Sequence, residues 1–115
     1  MKAIWKIFGI YLLLLFFLLA CGTASSQITV IHFNADFNKQ NNVVWFSKLK
    51  ECDTQTLLIE QNDNQSKYNI AIVPTIVVYD DNEEVKRFQA DLSFSMVATR
   101  KEIQNFIDEL IISKF

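Results

Sequence analysis

Three features of the sequence predict an α/β fold, a central mixed four-stranded sheet flanked by helices in the order β-α-β-α-β-β-α. Thr75 to Tyr79 is a nearly continuous apolar run, the pattern of a strand buried on both faces and hence central in a sheet. Asp80-Asp81-Asn82-Glu83 is a turn signal before Glu84 to Phe88, so these two runs form an antiparallel hairpin with the second strand toward the edge. Ile103, Phe106, Ile107, Leu110 and Ile111 repeat at the spacing of one helical face, behind a capping box of Thr99 and Glu102.

The remaining elements follow in chain order. Ile28 to Phe33 is rich in β-branched residues and reads as a strand, with Ile28, Val30 and His32 on one face and Thr29, Ile31 and Phe33 on the other. Val43-Val44-Trp45-Phe46 with Leu49 has the spacing of a short amphipathic helix ending near Glu51, for which an asparagine among 38, 41 and 42 is the natural N-cap. Thr56 to Glu60 is a second strand, and Lys67 to Ile70 one helical turn. Residues 91 to 98, with Leu92, Phe94, Met96 and Val97, have no clear period; a helical turn over one end of the sheet is one reading.

The N-terminus is an export signal in its order of parts: Met1, Lys2 and Lys6 supply positive charge, Ile7 to Ala20 is uncharged, and Cys21-Gly22 follows. As a helix the uncharged run spans about 21 Å, short of the roughly 30 Å hydrocarbon core. Leu18-Leu19-Ala20-Cys21 resembles the lipobox of bacterial lipoproteins, which implies cleavage before Cys21 and a diacylglycerol on its thiol. Ordinary secretory cleavage after Ala24 and an uncleaved anchor are the alternatives. The expected organisation is a signal over 1–20, a lipidated Cys21 and short tether over 21–27, and one domain over 28–115, held outside the cytoplasm on the periplasmic or cell-surface side.

Losing Lys2 and Lys6 with the leader takes the 11 basic side chains to 9 against 13 acidic, a net charge of −4. No basic stripe remains to neutralise phosphates, which argues against a nucleic-acid partner. One histidine and two cysteines are too few soft ligands for a metal site, and no cofactor motif is present. Asp80-Asp81 and Glu83-Glu84 sit in and beside a hairpin turn and read as a solvated tip rather than a hydrolytic pair.

From Ile28 to Ile111 the chain resembles the thioredoxin fold in its short form, without the additional N-terminal strand and helix. Ile31-His-Phe-Asn-Ala-Asp-Phe37 resembles the family's first core strand and the aromatic lead-in to its active site. Lys67-Tyr-Asn-Ile-Ala-Ile-Val-Pro-Thr75 resembles the stretch ending in its cis-proline, and Phe106-Ile-Asp-Glu-Leu110 its last helix. The family's two redox cysteines begin the first helix, where amide dipoles lower a thiol's pKa. This sequence has Asn38-Lys39-Gln40-Asn41 there, and an amide cannot attack a disulfide. His32 stands where the family often has a buried acid; with no thiol to serve, it reads as a core histidine.

Cys52 is the remaining thiol of interest. Expected near a helix C-terminus and flanked by Glu51 and Asp53, it reads as a poor nucleophile, with a mixed or intermolecular disulfide as the alternative. The resemblance implies a cis bond before Pro74 and a groove in which Val73, Pro74 and Thr75 pair with an extended peptide while Phe37, Asn38, Lys39, Gln40 and Asn41 wall it. Lys39 would favour an acidic group, unless 38–41 is only a polar cap. The expected function is a redox-inactive envelope module that binds a protein or extended peptide. The rivals are a monothiol redox protein acting through Cys52 and a structural envelope component assembled through residues 92–97.

Overall fold

Apolar residues on both faces of Ile28–Phe33 let one strand serve two cores. In the computed structural model, which describes residues 27–115, that strand is β1 (Ile28–Asn34). After it come a 3-10 helix over Asp36–Asn41, a second 3-10 turn over Phe46–Lys48, β2 (Asp53–Leu58), α1 (Asn64–Lys67), β3 (Thr75–Asp80), β4 (Glu83–Gln89) and α2 (Arg100–Ile112). The sheet order is β2-β1-β3-β4; β1 and β2 are parallel and the other pairings antiparallel. This is the expected mixed four-stranded sheet, with β3 inside it and β4 at an edge. The leader, Cys21 and the start of the tether, residues 1–26, lie outside the described residues.

The two faces divide as the alternation predicts. Ile28 and Val30 of β1 join Ile76 and Val78 of β3 beneath Ile103 and Ile107 of α2, with Val43, Phe46 and Leu49 completing that core. Ile31, Phe33 and Val77 face the other way, against Ala35, Ile70 and Val73. Helix α2 starts where its capping residues place it, the Glu102 N–H donating to Thr99 Oγ1 at 3.2 Å. The β3–β4 turn puts Asp81 and Asn82 at φ 51° and 70°, the positive pair a tight hairpin needs and these residue types tolerate.

Between β1 and β2 the structure departs from expectation: no α-helix forms over 43–51. Val43, Phe46 and Leu49 are the buried residues there, and of them only Phe46 is helical, in the single 3-10 turn Phe46–Lys48. The β-branched pair Val43-Val44 and the left-handed Glu51, at φ 63°, also oppose a continuous helix. None of Asn38, Asn41 and Asn42 caps a helix as expected at 43: the first 3-10 helix has Ala35 at its N-cap and the second Trp45, neither with a side-chain bond. Strand β2 begins at Asp53, not Thr56, because the parallel register carries it from Thr29 opposite Asp53 to Asn34 opposite Leu58. It stops before Glu60, where the Gln61 N–H turns back to the Leu58 carbonyl at 3.2 Å. The helical turn expected at 67–70 is α1, three residues earlier, and Asn69 at φ 54° ends it.

Residues 91–98 form no helical turn. The Asp91 carboxylate accepts from the Ser93 N–H at 2.9 Å and the Ser95 N–H at 3.3 Å, and Ala90 bridges to Met96. This compact loop lies at the same end of the sheet as the C-terminal end of β1.

Candidate functional site

Strand β1 delivers Asn34 into the interior at its C-terminal end, and a buried primary amide must find partners there. Asn34 Nδ2 donates to the Asn38 carbonyl at 3.2 Å and to Asn42 Oδ1. Asn38, 3 % exposed, returns a bond from its own Nδ2 to Asn34 Oδ1 at 3.1 Å and gives its second hydrogen to the Phe94 carbonyl, also at 3.1 Å. Asn41 Nδ2 then donates to Asn38 Oδ1 at 2.8 Å. The two positions that the resemblance aligns with thiols are thus joined by a side-chain amide hydrogen bond.

Lys39 and Gln40, between them, face solvent. Lys39 pairs with Asp36 at 3.0 Å, with both side chains largely exposed, so part of the positive charge expected to attract an acidic group is already offset.

Above this network lies a cleft of about 260 Å³ lined by Phe37, Ile59, Ile70, Ile72, Val73 and Phe94. Phe37 is 68 % exposed and Phe94 40 %; the rings meet edge to face with centroids 5.6 Å apart and form the mouth. Val73, 2 % exposed, lies at the floor. The Val73–Pro74 peptide bond is cis, and the Thr75 hydroxyl donates to the Ile72 carbonyl at 2.6 Å. Among the described residues, neither the N–H nor the C=O of Val73 takes a backbone partner.

Of the residues singled out in the sequence, Phe37 and Val73 line the cleft and Asn38 and Asn41 form the network beside it. Pro74 and Thr75 fix the loop beneath. Asn34 escaped sequence reasoning as a site residue, while Asn42 was expected only as a helix cap and Phe94 only as an apolar residue of 92–97. Phe94 carries a signal visible only in the backbone: among the described residues seven non-glycine positions have positive φ, five of them Asn or Asp, and Phe94 at φ 61° is the one bulky aromatic. Such a conformation costs of the order of 1–2 kcal/mol and persists where surrounding bonds hold it. Here the Asp91 turn and Asn38 Nδ2 do so.

His32 lies on the Ile28–Val30 face of β1, away from the Ile31–Phe33 face that adjoins the cleft, 3 % exposed, its ring 5.3 Å from that of Phe46. Among the described residues its Nε2 has no hydrogen-bond partner. Burial pushes its pKa down to about 4, so the ring is neutral at pH 7.

Cys52 is half-buried against the Ile28–Val30 core. Burial, with Asp53 and Glu51 adding like charge, pushes its thiol up to about 11. Among the described residues no α-helix precedes it, so the helix-dipole contribution expected from the sequence is absent and desolvation leads instead. It adjoins Asp53, paired with Thr29, five residues from Asn34 along β1 and so about 17 Å from the asparagine network.

No family model matches the sequence, and no curated protein does either. Solved structures do. A mutant thioredoxin from Halobacterium salinarum NRC-1 superposes with a TM-score of 0.57 at 17% identity, over 72% of this chain and 74% of that one. Thioredoxin 1 from Thermosipho africanus TCF52B gives 0.55 at 20% identity, over 76% and 99%. The Fasciola hepatica thioredoxin gives 0.54 at 20% identity, over 72% and 80%. At these identities the likeness speaks for architecture, and it agrees with the strand order and register: the chain has a thioredoxin-like fold.

Proposed function

We propose that this chain is a thioredoxin-like module of the bacterial envelope that binds an extended protein segment and does not exchange disulfides, tethered by a lipid on Cys21. The carrying observation is the Asn41-to-Asn38 hydrogen bond at 2.8 Å, beside an apolar cleft with an aromatic mouth. An amide pair has no nucleophilic sulfur and no electrons to pass to a disulfide. What remains at the site is recognition surface: two exposed rings, an apolar floor and the Val73 N–H and C=O, which have no backbone partners among the described residues. A partner engages Phe37 and Phe94 first and reaches Val73 only as Phe94 gives way, because Val73 is buried. The lipid tether rests on Leu18-Leu19-Ala20-Cys21 and places that partner at a membrane surface outside the cytoplasm.

The monothiol alternative has against it a thiol held near 11 and a position about 17 Å along β1 from the cleft. The structural alternative draws on Leu92 and Val97, both exposed on the loop before α2.

The test is photo-crosslinking in native envelopes from the full chain carrying benzoylphenylalanine at position 37, with the same probe at Lys101 on the outer face of α2 as control. A discrete adduct from position 37, absent from position 101 and suppressed by Phe94→Asp, is expected, together with no acceleration of insulin reduction by dithiothreitol. Equal labelling from both positions, or catalysed insulin reduction, would overturn the reading.

A further inference from the structure

The two edges of the sheet are built differently. β4 carries Glu83, Glu84, Lys86 and Arg87, and its register against β3 shifts between Val78 and Tyr79, leaving Val85 as an extra residue. Charge and a bulge are the usual means of keeping another strand from adding to an edge. Strand β2 has neither. Its sequence is Asp-Thr-Gln-Thr-Leu-Leu, with one charge, at its start, and with no lysine, proline or register shift against β1.

Because β2 pairs with β1 alone, alternate backbone N–H and C=O groups along it point outward. At the far end the Leu58 carbonyl is occupied, by the Gln61 N–H at 3.2 Å and the Asn64 side chain at 2.9 Å. From Asp53 to Leu57 no such covering bond exists among the described residues. Asp53, Thr54, Gln55 and Thr56 are all exposed, although successive side chains point to opposite faces. Among the described residues Asp53 to Gln55 are exposed on both faces of this edge, because the 36–50 segment folds as short turns packed beneath β1 and β3 and comes up to β2 beside Thr56.

We infer that the outer edge of β2 is a self-association surface, on which a second copy of this chain pairs antiparallel to extend the sheet across a two-fold axis at Gln55, with Thr54 opposite Thr56. The strand is complementary to itself in that direction. Thr and Gln side chains come opposite Thr and Gln and can hydrogen-bond across the pair, while the two Asp53 carboxylates lie at opposite ends. A parallel pairing in register would instead set Asp53 beside Asp53. The two-fold contact closes on itself, and the dimer's outer edges become the two guarded β4 strands. The surface is separate from the Phe37–Phe94 cleft and stands or falls without it.

The test uses the full chain in its own membranes, in a Cys52→Ala background, with Gln55→Cys or Thr56→Cys introduced singly and oxidised with copper phenanthroline. Lys86→Cys on β4 and the Cys52→Ala parent are the controls. A reductant-sensitive band of twice the chain mass from position 55 or 56, absent from both controls, is expected. No doubled band from either position, an equal band from position 86, or a product whose mass shows a different protein on the edge would each overturn the inference.

Discussion

Arg100–Ile112 and Asp36–Leu49 both supply apolar side chains to the same face of the sheet, by different local means. The first is a capped α-helix whose buried Ile103 and Ile107 lie one turn apart; the second holds two short 3-10 segments, and of its buried Val43, Phe46 and Leu49, three residues apart, only Phe46 is inside one. A capping box and a wide apolar stripe make an element that knows its own boundaries. A three-residue burial interval without a cap leaves the chain to be shaped by what lies beneath it. The consequences of damage differ accordingly, and so do the measurements that expose it.

The largest effect is expected in α2. Ile107→Ala empties a fully buried site between α2 and the sheet and is expected to lower unfolding free energy by about 2–5 kcal/mol in urea titration. Val43→Ala removes less side chain from the rim of the same core, and a loss of about 1–2 kcal/mol is expected. Equal losses at the two positions would erase the distinction between the segments.

His32, under Phe46, sharpens the comparison from the sheet side. The unfolded ring takes a proton near pH 6.5, whereas the native ring holds off until about 4, so the unfolded state binds more protons between those values. The contribution is fully present above pH 6.5 and is lost as pH falls toward 4, of the order of 3 kcal/mol across the window. His32→Leu is expected to remove that slope when wild type and variant are compared by urea titration at several pH values.

At the site, Asn38→Ala leaves Asn34 Oδ1, the Asn41 amide and the Phe94 carbonyl each short of a partner, and about 1–3 kcal/mol is expected to be lost. Faster amide exchange at Ser93 to Met96 with β3 unchanged would place the effect in the loop. The smallest change is Thr99→Ala, about 1 kcal/mol, seen as a lower midpoint at unchanged m-value.

Much of the fold was legible because its signals are local. The β3 run, the Asp81-Asn82 turn and the Thr99–Glu102 cap each lie within a few residues, and each element formed where its signal stands. β2 was misplaced because exposed Asp53 to Thr56 carry no apolar alternation; their strand is imposed by pairing with β1. The 43–51 segment was misread because spacing of three also fits one side of an α-helix. At the site, Phe37, Asn38 and Val73 were reached through a family resemblance, whereas the Asn38–Phe94 bond spans 56 positions and has no local trace.

The aromatic mouth has one further consequence. Phe37 rides on a 3-10 helix and Phe94 on the Asp91 turn, and what joins them across the opening is a ring edge and, through Asn38, one amide hydrogen. Each is worth about 1 kcal/mol, so the rim is held across the opening far more weakly than the floor, which runs directly into β3. On the function proposed above, entry to the cleft is graded by how far these two rings must part, and a thin backbone with small side chains passes most easily.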